Sequence, residues 1–251
     1  MRIAVVGGTG LVGRYVVDSL KKSGHEAVIL ARSTGVDVVT GEGLAEALAG
    51  VDAVVDVTNT AATEAAAAQE FFAAETGHLL AAEEEAGVRH HVVLSIVGIE
   101  MVPSNAHYAG KRRQEDLVEA GSVPFTILRA TQFHEFAAMV VGWNRQGDTA
   151  SVPPLLMQPV AARDVGKALA EVAVGQPQGR IDLAGPEPQD LVDMARRTLA
   201  ARGETVKLVP SWAGPLNTEM AGDVLLPGPN ARIAATTFDT WLKSDDAKAT
   251  G

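Results

Sequence analysis

The sequence predicts an α/β fold: a doubly wound parallel sheet covered by helices, with a small C-terminal capping α/β region. Three observations predict it. Short apolar runs rich in valine and isoleucine alternate with longer helical stretches, the pattern of parallel strands joined by crossover helices. A glycine-rich turn stands directly between the first strand and the first helix. And the chain has 251 residues, 47% of them hydrophobic, which is enough to bury one large core.

The elements follow in order. Arg2 to Gly7 reads as the first strand, and Leu11 to Lys22 as a helix that stops at Gly24. Ala27 to Ala31 is the second strand, Val36 to Val39 a short third, Leu44 to Leu48 a brief helix, and Asp52 to Val57 the fourth strand. A long alanine-rich helix covers Thr63 to Ala86, Val92 to Ser95 is the fifth strand, His107 to Ala120 a helix, and Phe125 to Leu128 the sixth strand. By Arg129 this makes a complete six-strand unit. Helices are then expected at Phe133 to Asn144, Arg163 to Val174, Gln189 to Ala201 and Thr237 to Leu242, with strands at Ile181 to Leu183 and Val206 to Val209. The polar tail from Lys243 is expected to fray.

Composition excludes several classes of function. The formal net charge of −10 argues against a phosphate-backbone partner, so no nucleic acid is expected. The absence of cysteine removes disulfides, thiolate metal sites and cysteine nucleophiles. No apolar run reaches the length of a membrane span. His90-His91 has no partner at metal-binding spacing, so no metal site is expected. The expectation is a cytoplasmic protein, monomer or homodimer, whose partner is a small-molecule substrate.

The glycine turn carries the first functional signal. Gly7-Gly8-Thr9-Gly10-Leu11-Val12-Gly13 holds the spacing G-x-x-G-x-x-G between a strand and a helix. A side chain at Gly7 or Gly10 would block the turn or the approach of a pyrophosphate, and one at Gly13 would push the helix off the strand. Free N–H groups at the helix start then face the diphosphate. Gly7, Thr9, Gly10, Leu11, Val12 and Gly13 are therefore candidate cofactor-binding residues of a Rossmann-type fold. The second strand ends at Arg32-Ser33 rather than at the carboxylate that grips the ribose hydroxyls of NAD. A guanidinium grips a 2′-phosphate, so NADP(H) is expected in preference to NAD(H). Thr58 and Asn59, at the carboxyl end of the fourth strand, are further cofactor candidates. On this reading residues 1–130 form the NAD(P)-binding core and residues 131–251 a substrate-binding and capping region, the two integrated as one domain.

The same loop resembles that of extended and atypical short-chain dehydrogenases/reductases. Val123-Pro124-Phe125-Thr126-Ile127-Leu128-Arg129-Ala130-Thr131-Gln132-Phe133 and Pro159-Val160-Ala161-Ala162-Arg163-Asp164-Val165-Gly166 resemble segments of the NmrA-like branch. That branch contains quinone and ketone reductases and also cofactor-sensing regulators without catalysis. Its enzymes carry a serine after the fifth strand and a tyrosine with a lysine four residues on. Ser95 and Tyr108 fall in those places; the lysine, Lys111, stands three residues on, and the fourth position is Arg112.

The resemblance implies catalytic roles for Ser95, Tyr108 and Lys111, with Lys111 also reaching the cofactor ribose. A phenol protonates a carbonyl oxygen at neutral pH only when a cation lowers its pKa. Each candidate has a structural alternative: Ser95 as a strand-end hydroxyl bonded to backbone, Tyr108 packed on the loop from Ile99 to Asn105, Lys111 on a solvated helix face. Gln132, Phe133 and His134, after the sixth strand, are candidate substrate residues, with His134 an alternative acid. The function expected is an NADPH-dependent reductase of a small apolar carbonyl, quinone or enone, the alternative being a non-catalytic redox sensor.

Overall fold

The computed structural model describes residues 1–212 and 216–249. The first part of the chain forms β1 (Arg2–Val6), α1 (Leu11–Lys22), β2 (Glu26–Leu30), α2 (Leu44–Leu48), β3 (Ala53–Asp56), α3 (Ala65–Ala86), β4 (His91–Ile96), α4 (Ala106–Ala120) and β5 (Phe125–Ala130). Then come α5 (Phe136–Asn144), β6 (Arg145–Gln146), β7 (Thr149–Val152), β8 (Leu156–Met157), α6 (Ala162–Ala173), β9 (Gly179–Ala184), β10 (Gln189–Asp190), α7 (Leu191–Arg202), β11 (Lys207–Pro210), β12 (Arg232–Ile233), α8 (Phe238–Leu242) and α9 (Asp246–Ala249).

Seven strands make one sheet in the order β12-β9-β5-β4-β3-β1-β2. β1 runs parallel to both β2 and β3, and β3 parallel to β4. This is the doubly wound Rossmann-type α/β sheet that the alternation of runs predicts. The chain steps from β1 to β2 on one side and then returns to β3 on the other, so the strand order reverses between β1 and β3. In such sheets the crevice outside the carboxyl ends at the reversal is where ligands bind.

The chain divides into two compact units: Met1–Arg129 with Val165–Ile181, and Ala130–Asp164 with Asp182–Gly251. The first break falls at the last residue of β5, and most of α6 returns to the first unit. In that unit Ala4, Val6, Leu30, Leu44, Leu48, Val54 and Leu79 share a core cluster. α3 and α4 pack tightly because Gly110 lacks a side chain. A Cβ there would come within 2.7 Å of the Phe72 ring and 3.0 Å of the Ala68 Cβ. In the second unit β7 pairs with β6 and β11, β8 with β10, and α7 buries Leu191, Met194, Ala195 and Leu199.

Two expectations are corrected. Val36 to Val39 is not a strand; it makes one antiparallel bridge between Asp37 and Glu42. The Asp37 side chain accepts the Val39 N–H at 2.9 Å, and Gly35 and Gly41 take positive φ, so the chain turns too sharply to extend. Five strands, not six, therefore precede Arg129. The tail beyond Lys243 contains α9, where Ala247 is buried and its carbonyl accepts from Arg202 Nε at 2.8 Å.

Candidate cofactor and active site

The turn after β1 is built by its glycines. Gly7 has φ +76°, and a Cβ on it would stand 3.1 Å from the Val57 carbonyl oxygen. A Cβ on Gly13 would lie 2.2 Å from the Gly7 oxygen, so only glycine lets α1 seat on the turn. Gly10 is different. A Cβ there would meet only the Gly7 oxygen, at 3.3 Å, so the space outside Gly10 is open. Gly10 caps α1 without a side-chain acceptor. The first N–H groups of the helix and the positive end of its dipole are left for an anion. Thr9 and Gly10 are exposed and Leu11 is partly so, whereas Val12 is buried and offers a ligand only its backbone. A cradle with open space at its centre and unfilled N–H groups fits a dinucleotide diphosphate.

β2 runs into a short helical turn held by Thr34, whose Oγ1 accepts the Ala31 N–H at 3.1 Å. Arg32 and Ser33 on that turn are exposed, and the Arg32 side chain makes no hydrogen bond or ion pair among the described residues. Arg14 is already engaged, its guanidinium 5.0 Å above the Tyr15 ring. No carboxylate follows β2 before Asp37, and that side chain is held by Val39.

At the carboxyl ends of β3 and β4 the structure brings Thr58, Ser95 and Lys111 together. Lys111 is 4% exposed and its Nζ donates to the carbonyls of Thr58 (3.2 Å) and Leu94 (3.0 Å) and to Gln114 Oε1 (2.8 Å). All three ammonium protons are thereby committed. Gln114 in turn donates to Asp56 Oδ2 at 2.6 Å, and Asp56 Oδ1 accepts the Thr58 N–H at 2.8 Å. Glu75 completes the cluster, bonded by Thr76 Oγ1 at 2.9 Å. Burial pushes the Lys111 pKa down against the pull of Asp56, Glu75 and Glu115. Burial, with the nearby Asp56 charge, pushes the Glu75 carboxyl well above the ordinary carboxylate range.

Two hydroxyls beside this cluster are unsatisfied. Thr58 Oγ1 and Ser95 Oγ are buried and have no hydrogen-bond partner among the described residues. A buried hydroxyl left unpaired costs about 1–3 kcal/mol, so each of these two has a bond to offer to a water or a ligand. Ser95 thus does not bond backbone, the alternative weighed for it. Asn59 is exposed, its Oδ1 accepting the Thr60 N–H at 2.9 Å.

Tyr108 lies in the first turn of α4, 7% exposed, its N–H capped by Asn105 Oδ1 at 3.0 Å. Arg112 does not compete for the phenol: its guanidinium donates to the carbonyls of Ile99 (2.6 Å), Val102 (3.3 Å) and Pro103 (3.1 Å). His107, which the sequence reading passed over, sits beside Tyr108 and Phe72, with ring centroids 6.5 and 6.2 Å away. Burial and the Lys111 charge push its pKa down to about 4. Asp56, Glu75 and Gln114 were also passed over. Glu75 carried a signal, since it falls on the same buried stripe of α3 as Ala68, Phe72 and Leu79.

Gln132, Phe133 and His134 belong to the second unit. Gln132 and Phe133 are partly buried, and Phe133 bridges to Val160. His134 is 1% exposed; its Nε2 donates to the Thr236 carbonyl at 3.2 Å, and its ring packs 5.3 Å from Phe238 and 5.6 Å from Trp241. Its pKa falls to about 4, chiefly through burial. The ring is enclosed by this unit's own core. Among the described residues no His, Cys, Asp and Glu group is arranged to hold a metal, and no helix is long and apolar enough to cross a membrane.

Residues 7–174, which hold the glycine turn, both strand ends and α4, match the family described as NAD(P)H-binding. The chain belongs to the NAD(P)H-binding family. The segments that resemble the NmrA-like, atypical short-chain dehydrogenases/reductases lie within those residues. The family includes reductases, and its match to this chain ends just past α6. The photosystem II assembly factor Ycf39 of Synechocystis sp. is 30% identical over 147 residues, 53% of this chain and 45% of that protein. The match spans about half the length of that relative. Among solved structures, the NADPH-dependent quinone oxidoreductase QOR2 of Escherichia coli, complexed with NADPH, superposes with a TM-score of 0.65 at 20% identity over 83% of this chain and 78% of its own. A short-chain dehydrogenase/reductase superfamily protein of Agrobacterium tumefaciens with bound NAD gives 0.68 at 20% identity over 98% and 96%. At those identities the likeness is one of fold.

Proposed function

We propose that the protein is an NADPH-dependent reductase of a small apolar carbonyl compound, a quinone or an enone. One observation carries the chemistry: the buried, unpartnered hydroxyls of Thr58 and Ser95 lie near the carboxyl ends of the adjacent strands β3 and β4, and β3 pairs with β1, the strand that leads into the glycine turn. Ser95 donates its O–H to the substrate carbonyl oxygen and stabilises the negative charge that develops there. Tyr108 provides the proton, and the Lys111 charge behind it favours release of that proton. The nicotinamide supplies the hydride when bound. Arg32, exposed and free of partners, takes the 2′-phosphate and selects NADPH over NADH. QOR2, named as an NADPH-dependent quinone oxidoreductase, is a precedent on this fold.

The test is NADPH consumption against a panel of quinones, enones and aromatic aldehydes, with NADH in parallel. Turnover with NADPH and loss of turnover in Ser95→Ala support the reading; an inactive protein across the panel overturns it. A redox sensor is the second reading, and the Lys111 geometry favours it, because an ammonium with all three protons committed has none for a ribose hydroxyl. A sensor binds NADPH and NADP with distinct affinities and reduces nothing; calorimetric titration of both forms separates the two.

A further inference from the structure

The reductase pattern spaces its tyrosine and lysine by four residues, and the residue four before Lys111 is His107, not Tyr108. Residues four apart on a helix stand one turn above the other on the same face. The structure bears out that stacking on a shared support. Lys111 Nζ lies 4.6 Å from the centre of the Phe72 ring, and the His107 ring centroid is 6.2 Å from that same ring. His107 is partly buried, and neither ring nitrogen is hydrogen-bonded among the described residues. Lys111, by contrast, has no proton to spare.

We propose that His107 holds the carbonyl oxygen of the substrate through a neutral imidazole N–H, with Lys111 as the positioning residue beneath it. This rests on the reductase reading above. Burial and the Lys111 charge keep the imidazole unprotonated at neutral pH, so it presents one N–H donor and one acceptor. A neutral imidazole is suited to polarise a carbonyl without surrendering its proton. The step balances. The carbonyl carbon accepts a hydride with its two electrons, leaving oxidised nicotinamide. The C=O π pair moves to oxygen, where the His107 N–H and the Ser95 O–H stabilise it. The oxygen then takes the Tyr108 phenolic proton, which solvent restores. His107 thus occupies the place of the family tyrosine, and Tyr108, one residue on, is the proton source.

The test uses the full chain with histidine ¹³C-labelled in the ring, the His107 signal being assigned by its loss in His107→Asn. Benzaldehyde and menadione are the probes, added to the NADP complex. The expected result is a shift of the His107 ring signal with at least one probe, and no shift of the signal from enclosed His134. For the compound that is reduced, His107→Phe lowers kcat by about a hundredfold, the effect of deleting one donor to a developing oxyanion. NADPH affinity stays within about twofold, and His107→Asn, which retains an N–H donor, recovers part of the rate. An unmoved His107 signal with both probes, or native kcat in His107→Phe, overturns the inference. If the signal moves but no compound is reduced, the ligand contact stands and the reductase reading falls.

Discussion

Replacing Lys111 by methionine tests the cluster that joins β3, β4 and α4. The side chain keeps its length and its packing on Phe72 but loses the charge and three hydrogen bonds, to Thr58, Leu94 and Gln114. Asp56 and Glu75 remain, both at 0% exposure, without the positive charge that reaches them across Gln114. Removing one partner from a buried ionic cluster costs about 3–5 kcal/mol, because the remaining charge stays desolvated. Glu75 softens this by taking a proton, since burial and Asp56 already push its carboxyl upward, so the loss falls toward the lower end of that range. Urea unfolding at pH 7, followed by circular dichroism, reads it as a midpoint lower by about 1–2 M with an unchanged slope. Adding Glu75→Gln to Lys111→Met removes the stranded carboxyl and restores at least half of the loss. A change below about 1 kcal/mol in the single variant, or no recovery in the double, refutes the account of Lys111 as the counter-charge of this cluster.

Three further outcomes follow from the geometry. Arg32→Glu lowers NADPH affinity by roughly tenfold to a hundredfold, the equivalent of a charge-assisted phosphate contact, and leaves NADH affinity nearly unchanged by calorimetry; equal losses for both cofactors would show that Arg32 does not read the 2′-phosphate. Gly10→Val stays folded, because a Cβ there meets a single atom, the Gly7 oxygen at 3.3 Å, and needs it to give by only a few tenths of an ångström, but it loses cofactor binding as the branched side chain fills the space of the diphosphate. Retained binding in that folded variant places the cofactor elsewhere. The enclosed His134 makes the fold acid-sensitive: the unfolded chain binds the proton near pH 6.5 and the folded chain only near 4, so this contribution to stability falls as pH drops from 6.5 to 4. The full drop is about 3 kcal/mol. His134→Phe flattens that part of the stability profile, and an unchanged profile would show that the ring is protonated in the fold.

The sheet was readable because its strands are short apolar runs and its first turn has a glycine spacing that few other structures need. The segment at Val36 misled for the opposite reason: two valines flank an aspartate whose side chain makes a turn, and turn chemistry overrides β propensity over four residues. Around Lys111 the sequence marked the lysine but not its surroundings. Asp56, Glu75 and Gln114 come from three elements, and only the packing of α3 against α4, permitted by Gly110, closes them around one ammonium. His134 read as a candidate substrate residue and alternative acid because the rings that enclose it, Phe238 and Trp241, lie about a hundred residues further along. A family pattern centred on tyrosine also drew the eye to Tyr108 and away from its neighbour at the fitting interval.

The return of Val165–Ile181 to the first unit bears on how this protein can be cut and how it is made. Gly166 comes so near α1 that a Cβ on it would stand 2.5 Å from the Tyr15 Cβ, and Gln178 donates its N–H to Thr126 Oγ1 at 2.9 Å. A fragment ending after β5 would therefore expose the flank of α1 to water and remove that threonine's bond from the Gln178 N–H. On the ribosome the nucleotide-binding half cannot close when its own strands have emerged; it waits while the chain makes α5 and three short strands that belong to the other unit. The closure of Gly166 on Tyr15 joins residues some 150 positions apart in sequence, and long-range closures of this kind slow folding and lengthen the time that apolar faces stay open to aggregation or chaperones. A nucleotide-binding fragment engineered from this chain would need the α6 segment spliced back by a linker, with residues 130–164 removed.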